Sequence, residues 1–164
     1  MEHSGKHALV TGGGTGIGLA IAETLAKAGA DVTITGRDLR RLEGAAERNP
    51  RLHPMQMDVS DESSVSDGIA AAARERGPLA ICVANAGIAE GTPFRRETLE
   101  RWRHVMAINL DGAFLTIQAA LATLEPSKEG RMIAISSIAG LRGLKNAIAY
   151  TASKHGVIGM IRGL

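Results

Sequence analysis

The stretch Thr11-Gly12-Gly13-Gly14-Thr15-Gly16-Ile17-Gly18 lies between the apolar run ALV at 8–10 and the helix-forming run LAIAETLAKAG at 19–29. The order is therefore strand, glycine-rich turn and helix. Glycines let the backbone turn sharply, and they let a phosphate approach the free N–H groups at the positive end of the helix dipole. The stretch predicts a ligand that contains phosphate.

Only one glycine fingerprint fits this stretch. The pattern GxGxxG fits in no register, and a P-loop is excluded because Leu19 stands where GxxxxGK[ST] requires lysine. The pattern TGxxxGxG does fit, through Thr11, Gly12, Gly16 and Gly18. A tight turn without any ligand remains an alternative, because short glycine motifs give many false matches.

The rest of the chain alternates short apolar runs with alanine-rich segments. This alternation predicts an α/β fold, a Rossmann-like doubly wound parallel sheet with helices on both faces, formed by residues 1–164 as a single domain. We expect Gly29 to end the first helix, Ser60 or Asp61 to cap the third, and Thr98 to cap a long helix towards residue 121. The strands are predicted near 7–12, 32–36, 52–57, 79–85 and 131–136.

An amide interrupts the apolar stripe of that long helix. We expect the stripe to face inward, and Asn109 lies on it, three residues after Met106 and four before Ala113. A buried amide requires hydrogen-bond partners, so Asn109 needs a local partner. The other members of the stripe are Leu99, Trp102 and Ile117.

The second predicted strand ends in Gly36-Arg37-Asp38. In a dinucleotide-binding fold, an acid at this place binds the ribose of NAD, whereas an arginine receives the 2′-phosphate of NADP. Arg37 therefore favours NADP(H), and NAD(H) stays possible, because Asp38 is either an acid at a helix start or a ribose ligand.

Ser137 directly follows the last predicted strand, and Tyr150 begins the segment YTASK. The spacing of four residues places Tyr150 and Lys154 on one helix face, where an ammonium favours the ionised phenol. Each residue alone has a structural alternative. Ser137 would be a strand-end cap, Tyr150 an aromatic ring at an interface, and Lys154 a solvated charge on a helix. Their joint presence after a phosphate-binding start favours catalysis.

The successive motifs resemble the short-chain dehydrogenase/reductase family over the whole chain. They are Thr11-Gly12-xxx-Gly16-x-Gly18, Asp58-Val59, Asn85-Ala86-Gly87, Asn109, Ser137 and Tyr150-xx-Ser153-Lys154. One departure is Ala84, where many relatives have another asparagine.

The resemblance implies a role for each motif. Tyr150 would exchange the proton, Ser137 would hold the substrate oxygen, Lys154 would bind the nicotinamide ribose, and Asn109 would anchor a water. The expected catalytic residues are therefore Asn109, Ser137, Tyr150 and Lys154. The expected cofactor-binding residues are Thr11, Gly12, Gly14, Thr15, Gly16, Ile17, Gly18, Arg37, Asp58, Val59, Asn85, Ala86, Gly87, Tyr150 and Lys154.

The implied reaction is reversible hydride transfer between a nicotinamide and a carbonyl or secondary alcohol, without a metal. Segments such as NAGIAEGTPF resemble members that act on 3-oxoacyl or 3-hydroxyacyl thioesters. The family implies a homodimer or homotetramer. It also continues beyond HGVIGMIRGL with further strands and a substrate loop, so we expect the chain to be truncated. A noncatalytic dinucleotide-binding or interaction protein is the alternative.

Composition argues against nucleic-acid-binding and membrane-spanning classes of protein. Basic residues are dispersed among acids, the net charge is +2, and one Trp, one Tyr and two Phe are too few to stack bases, so nucleic acid is not an expected partner. No run of about 18 consecutive apolar residues predicts a membrane span. The single cysteine, Cys82, favours a reducing, cytoplasmic location.

Overall fold

The computed structural model describes residues 2–124 and 130–164, and within these ranges it contains a five-stranded sheet and six α-helices. The strands are β1 (His7–Thr11), β2 (Asp31–Gly36), β3 (Leu52–Gln56), β4 (Leu79–Ala84) and β5 (Arg131–Ala134). The helices are α1 (Gly16–Lys27), α2 (Leu39–Ala46), α3 (Glu62–Arg76), α4 (Leu99–Met106), α5 (Gly112–Leu121) and α6 (Ile148–Gly163).

The sheet is parallel throughout, with the order β3-β2-β1-β4-β5. The chain winds outward from β1 to β3, and it then returns to place β4 on the other side of β1. This reversal opens a crevice at the carboxyl ends of β1 and β4, where ligands bind in open α/β sheets. The predicted α/β parallel fold is confirmed.

Burial on both faces explains the continuous apolar runs of the central strands. Every residue of β1 and β4 is buried. Ala8 and Val10 pack with residues of α1 and α2 on one face, whereas Leu9 and Cys82 pack with residues of α3 and α5 on the other. Burial raises the pKa of the Cys82 thiol to about 12, consistent with a structural residue.

A histidine is buried in β1 among these apolar residues. His7 is 3% exposed; its Nδ1 lies 2.9 Å from the Gly77 carbonyl oxygen and its Nε2 lies 2.9 Å from the Thr33 hydroxyl. Nδ1–H must donate to the carbonyl, so in the neutral ring Nε2 accepts from the hydroxyl. Burial is the largest effect on this ring, and it lowers the pKa of His7.

The helix starts use the expected side chains. Asp61, rather than Ser60, caps α3 by accepting from the Ser64 N–H, and Thr98 caps α4 by accepting from the Arg101 N–H. Gly29 follows the end of α1 with a φ of +104°, a conformation that favours glycine.

The predicted long helix is not one regular α-helix. A π-helical turn at Ala107–Asp111 separates α4 from α5, and this turn changes which side chains face inward. Ala113 and Ile117 are buried as predicted, but Leu99 is wrong: it is 62% exposed at the first position of α4. Val105 takes the inner position instead.

Residues Leu99–Leu121, counted through the π turn, have the length and composition of a membrane span, and an 18-residue window within them has a mean hydropathy of 1.2. Length and composition alone do not distinguish a membrane span from a core helix of a globular protein, which meets the same criteria. Much of the apolar side of this stretch packs inside the protein.

Candidate active site

The glycine loop lies at the crevice and leads directly into α1. Gly16 has a φ of +54°, and a Cβ placed there would meet no atom within 4 Å, so the loop leaves open space at the start of the helix. Gly18 differs: a Cβ would lie within about 2.5 Å of both the Asn85 Nδ2 and the Gly12 carbonyl oxygen. Thr15, the N-cap residue, makes no side-chain capping bond, which leaves its hydroxyl available.

Thr11 connects the glycine loop to the end of β4. Its hydroxyl accepts from the N–H groups of Asn85 and Ala86, each at 3.0 Å. The Asn85 side-chain amide donates back to the Thr11 carbonyl oxygen at 2.9 Å. Thr11 is 1% exposed, so its side chain positions the loop from beneath.

Three recesses follow the carboxyl edge of the sheet and meet at Gly12. The β2 recess contains Gly14 and Arg37, the central recess contains Asp58 and Val59, and the α6 recess lies beside α6. Of the predicted cofactor residues, Thr11 lies beneath this surface. Those that line a recess are Gly12, Gly14, Thr15, Gly16, Ile17, Gly18, Arg37, Asp58, Val59, Asn85, Ala86, Gly87, Tyr150 and Lys154.

The β2 recess carries two arginines and a carboxylate that is already engaged. Arg37 and Arg41 both line it. Asp38 caps α2 by accepting from the Arg41 N–H at 3.2 Å, and its carboxylate also lies 3.7 Å from the Arg41 Nε. The structure shows Asp38 as the acid at the start of α2, and its alternative role as a ribose ligand stays a prediction.

In the central recess, the surroundings of Asp58 favour its charged form. Partial burial opposes the charge, but hydrogen bonds from the Ser60 hydroxyl and N–H, together with the positive charge of Arg37, hold the pKa of Asp58 below its usual value. Met57, fully buried at the end of β3, forms the apolar floor next to it.

The α6 recess brings Tyr150 and Lys154 to the glycine loop. The Lys154 Nζ lies 5.9 Å from the centre of the Tyr150 ring and donates to the Ile135 carbonyl oxygen at 2.8 Å. Lys154 is only 5% exposed, and burial lowers the pKa of its ammonium. The predicted sharing of one helix face is therefore present in the structure.

Asn109 has the local partners that its burial requires. Its side-chain oxygen accepts from the Ile88 N–H at 2.8 Å, and its amide donates to the Ile88 carbonyl oxygen at 2.9 Å and to the Ser153 hydroxyl at 3.1 Å. A single side chain thus joins the π turn, the loop after β4 and α6.

The comparisons with known proteins place the chain in a family. The profile of the family described as short chain dehydrogenase matches residues 6–164. The chain belongs to the short-chain dehydrogenase family. The glycine loop, the Tyr150–Lys154 pair and the parallel sheet all lie within the residues that match this family.

Several relatives of this family are similar over almost the whole chain. The 3-oxoacyl-[acyl-carrier-protein] reductase MabA of Mycobacterium tuberculosis is 39% identical over 97% of this chain, which spans 62% of that protein. Gluconate 5-dehydrogenase of Gluconobacter oxydans is 33% identical over 98% of the chain, which spans 64% of it. The crystal structure of gox2181 aligns with a TM-score of 0.94 and 34% identity, covering 98% of this chain and 65% of that one. The chain therefore spans less than two thirds of each of these relatives.

Ser137 is predicted to be catalytic, but it does not line the α6 recess that contains Tyr150 and Lys154. Its hydroxyl accepts from the Ala139 N–H at 3.1 Å, at the start of a short 3-10 turn, Ile138–Gly140. The neighbouring Ser136 lines the α6 recess, and its hydroxyl donates to the Lys154 carbonyl oxygen at 3.0 Å. The role of Ser137 in short-chain dehydrogenase chemistry stays a prediction.

Sequence reasoning missed the backbone support of the lysine. The Ile135 carbonyl and the Ser136 hydroxyl hold Lys154 from the end of β5, and no side-chain pattern announces a carbonyl group. Within residues 2–124 and 130–164, no cluster of three or more His, Cys, Asp or Glu residues could hold a metal ion.

Proposed function

We propose that the protein is an NADP-dependent oxidoreductase that interconverts a carbonyl and a secondary alcohol. The observation that carries this proposal is the placement of Tyr150 and Lys154 on one face of α6, in a recess shared with the glycine loop. An acid–base group beside a phosphate-binding turn is the arrangement that such chemistry requires.

The residues present fit a dinucleotide. The recesses run from Arg37 past the glycine loop to Lys154, and the open space at Gly16 would admit a diphosphate next to the first N–H groups of α1. Asp58 and Val59 would border the adenine, and Asn85, Ala86 and Gly87 would close the strand end beneath the cofactor. A bound nicotinamide cofactor would supply or accept the hydride.

The proton would move at the Tyr150 hydroxyl, as an acid in carbonyl reduction and as a base in alcohol oxidation. Lys154, held in place by the Ile135 carbonyl, would bind the nicotinamide ribose beside Tyr150. Ser137 would hold the substrate oxygen. Asn109 would keep α6 and the loop after β4 in register, and its water-anchoring role rests on the family resemblance.

The preference for NADP rests on the β2 recess. Arg37 lines it, whereas Asp38 is engaged as a helix cap and in an ion pair, which leaves Arg37 as the group suited to a 2′-phosphate. Replacing Arg37 with alanine should weaken NADPH at least tenfold more than NADH.

The matched control for that test is Arg40→Ala, which removes an exposed positive charge next to the recess without belonging to its lining. Both dissociation constants can be measured by the fluorescence of the reduced cofactor. Equal losses of NADPH and NADH affinity in Arg37→Ala would exclude recognition of the 2′-phosphate by this arginine.

For the substrate, we propose a 3-oxoacyl or 3-hydroxyacyl thioester. Support comes from the name of MabA, a 3-oxoacyl-[acyl-carrier-protein] reductase. NADPH oxidation in the presence of acetoacetyl-CoA tests this assignment, with a sugar acid as the competing class. Tight NADPH binding without turnover of either would favour the noncatalytic alternative.

Location and assembly complete the proposal. We propose that residues 1–164 act as one dinucleotide-binding domain in the cytoplasm, consistent with the buried free thiol of Cys82. We also propose a homodimer or homotetramer through the helices at 98–121 and 149–164, which correspond to α4, α5 and α6. An apolar groove between α5 and α6 exposes Phe114, Leu121 and Leu164, and sedimentation of the purified protein would measure the association.

A further inference from the structure

The helix that carries Tyr150 begins without a cap of its own. Ala147 occupies the N-cap position of α6 and has no side chain that can accept from the first N–H groups. In contrast, α2, α3 and α4 begin with capping side chains from Asp38, Asp61 and Thr98. Because Tyr150 lies in the first turn of α6, its position depends on whatever fixes this uncapped start.

The loop after β4 supplies that support. The Thr92 N–H donates to the Asn146 carbonyl oxygen at 2.6 Å, and Thr92 pairs with Ala147 in an isolated parallel β-bridge. Asn146 lies in the turn before α6 with a φ of +58°, a left-handed conformation that asparagine adopts more readily than most residues other than glycine. A Cβ on Gly91 would lie 3.2 Å from the same carbonyl oxygen, so the two segments touch through their backbones.

Arg101 of α4 holds this loop. Its guanidinium donates to the Thr92 hydroxyl at 2.7 Å and to the Glu90 carboxylate at 3.2 Å. On its other side, its Nε lies 3.8 Å from the Glu97 carboxylate, which belongs to a residue well shielded from solvent. One side chain therefore fixes Thr92 between α4 and the start of α6.

We propose that Arg101 is a positioning residue for Tyr150, acting through Thr92 and the backbone of Asn146. The proposal rests on the proposed function, since it takes Tyr150 as the acid–base group. Exposed ion pairs add little stability, so the contribution of Arg101 is geometric: small displacements of a reacting group reduce rates strongly. Loss of this contact would let the first turn of α6 shift while the glycine loop, on the other side of the recess, stays in place.

Two matched pairs of variants isolate the contact. Arg101→Met removes the donors, whereas Arg103→Met removes the same charge two residues along α4 from an exposed side chain without an ion pair among the described residues. Thr92→Val removes the acceptor, whereas Thr92→Ser keeps a hydroxyl there. We expect Arg101→Met and Thr92→Val to behave alike, and Arg103→Met and Thr92→Ser to resemble the unsubstituted protein.

The single tyrosine allows Tyr150 to be observed directly. Incorporation of 3-fluorotyrosine gives one ¹⁹F signal, and we expect Arg101→Met and Thr92→Val to shift or broaden it. In NADPH-dependent carbonyl reduction, both should lower kcat by about tenfold or more, with the NADPH dissociation constant within about twofold of the starting value.

The outcomes separate this proposal from the proposed function. An unchanged ¹⁹F signal in Arg101→Met would overturn the positioning role, whether or not the protein is active. A moved signal with unchanged kcat would also overturn it, because the contact would then be structural only. No turnover in the unsubstituted protein would contradict the proposed function alone, and the ¹⁹F comparison of the four variants would still decide whether Arg101 and Thr92 fix Tyr150.

Discussion

Gly18→Ala is the substitution whose cost can be worked most directly from the structure. An added methyl group would collide with the Gly12 carbonyl oxygen and the Asn85 amide, both of which are parts of the glycine loop and its support. Overpacking of this kind costs about 3 kcal/mol. Alanine in place of a helical glycine returns about 1 kcal/mol. The expected net loss is therefore about 2 kcal/mol, or roughly 4 to 8 °C in Tm for a chain of this size.

Gly159→Ala is the matched control, because this glycine is also helical and a Cβ there would meet no atom within 4 Å. It should raise the unfolding free energy by up to about 1 kcal/mol. Urea unfolding of the two variants, with NADPH titration of each, measures both effects. Gly18→Ala should also weaken NADPH, since Gly12 and Asn85 must move. A Gly18→Ala protein as stable as Gly159→Ala would show that the close packing of α1 against the loop is wrong.

Three further predictions concern catalysis and the core. Tyr150→Phe should lower kcat by at least about 100-fold with NADPH affinity nearly unchanged, since the ring remains in place, and retained turnover would remove the phenol as the acid. Asn109→Leu removes the side-chain partner of the Ile88 N–H and carbonyl, whereas the Ser153 hydroxyl keeps its bond to the Tyr150 carbonyl oxygen, so thermal unfolding should show a loss of about 3 kcal/mol. Because the pKa of His7 is lowered in the folded protein, the unfolded chain binds a proton more readily at this residue. The contribution of His7 to the unfolding free energy should therefore be complete above pH 6.5 and fall as the pH drops from 6.5 through the folded-state pKa. His7→Gln should reduce the dependence of the unfolding free energy on pH, as measured by denaturant titrations.

The sequence predicted the sheet well because its strands are apolar at successive positions. Such runs have few alternatives to burial in a parallel sheet, and β1 and β4 are indeed buried along their whole length. It also predicted that Asn109 needs a partner, since an amide on an apolar stripe cannot remain unsatisfied. These inferences depend on local chemistry, which the sequence contains.

The failures concern backbone geometry and contacts between distant segments. Leu99 was placed inside because a regular helical period was assumed, whereas the π turn shifts that period within the helix. The hydrogen bonds from Arg101 to Thr92, and from Thr92 to the Asn146 carbonyl oxygen before α6, were missed. They join three separate segments of the chain, and one of them ends on a backbone carbonyl, which every residue has. Ser136 was also missed, because its hydroxyl donates to a backbone carbonyl, that of Lys154.

The hydroxyl of Thr11 has a consequence for how the glycine fingerprint works. It holds two consecutive amides that are 74 and 75 residues away in the chain. An excised β1–α1–β2 peptide would contain every letter of TGxxxGxG but would lack the strand that keeps the loop in shape. Affinity for a dinucleotide should therefore arise only when β4 docks during folding, so the fingerprint is a property of the assembled sheet rather than of the eight residues that spell it.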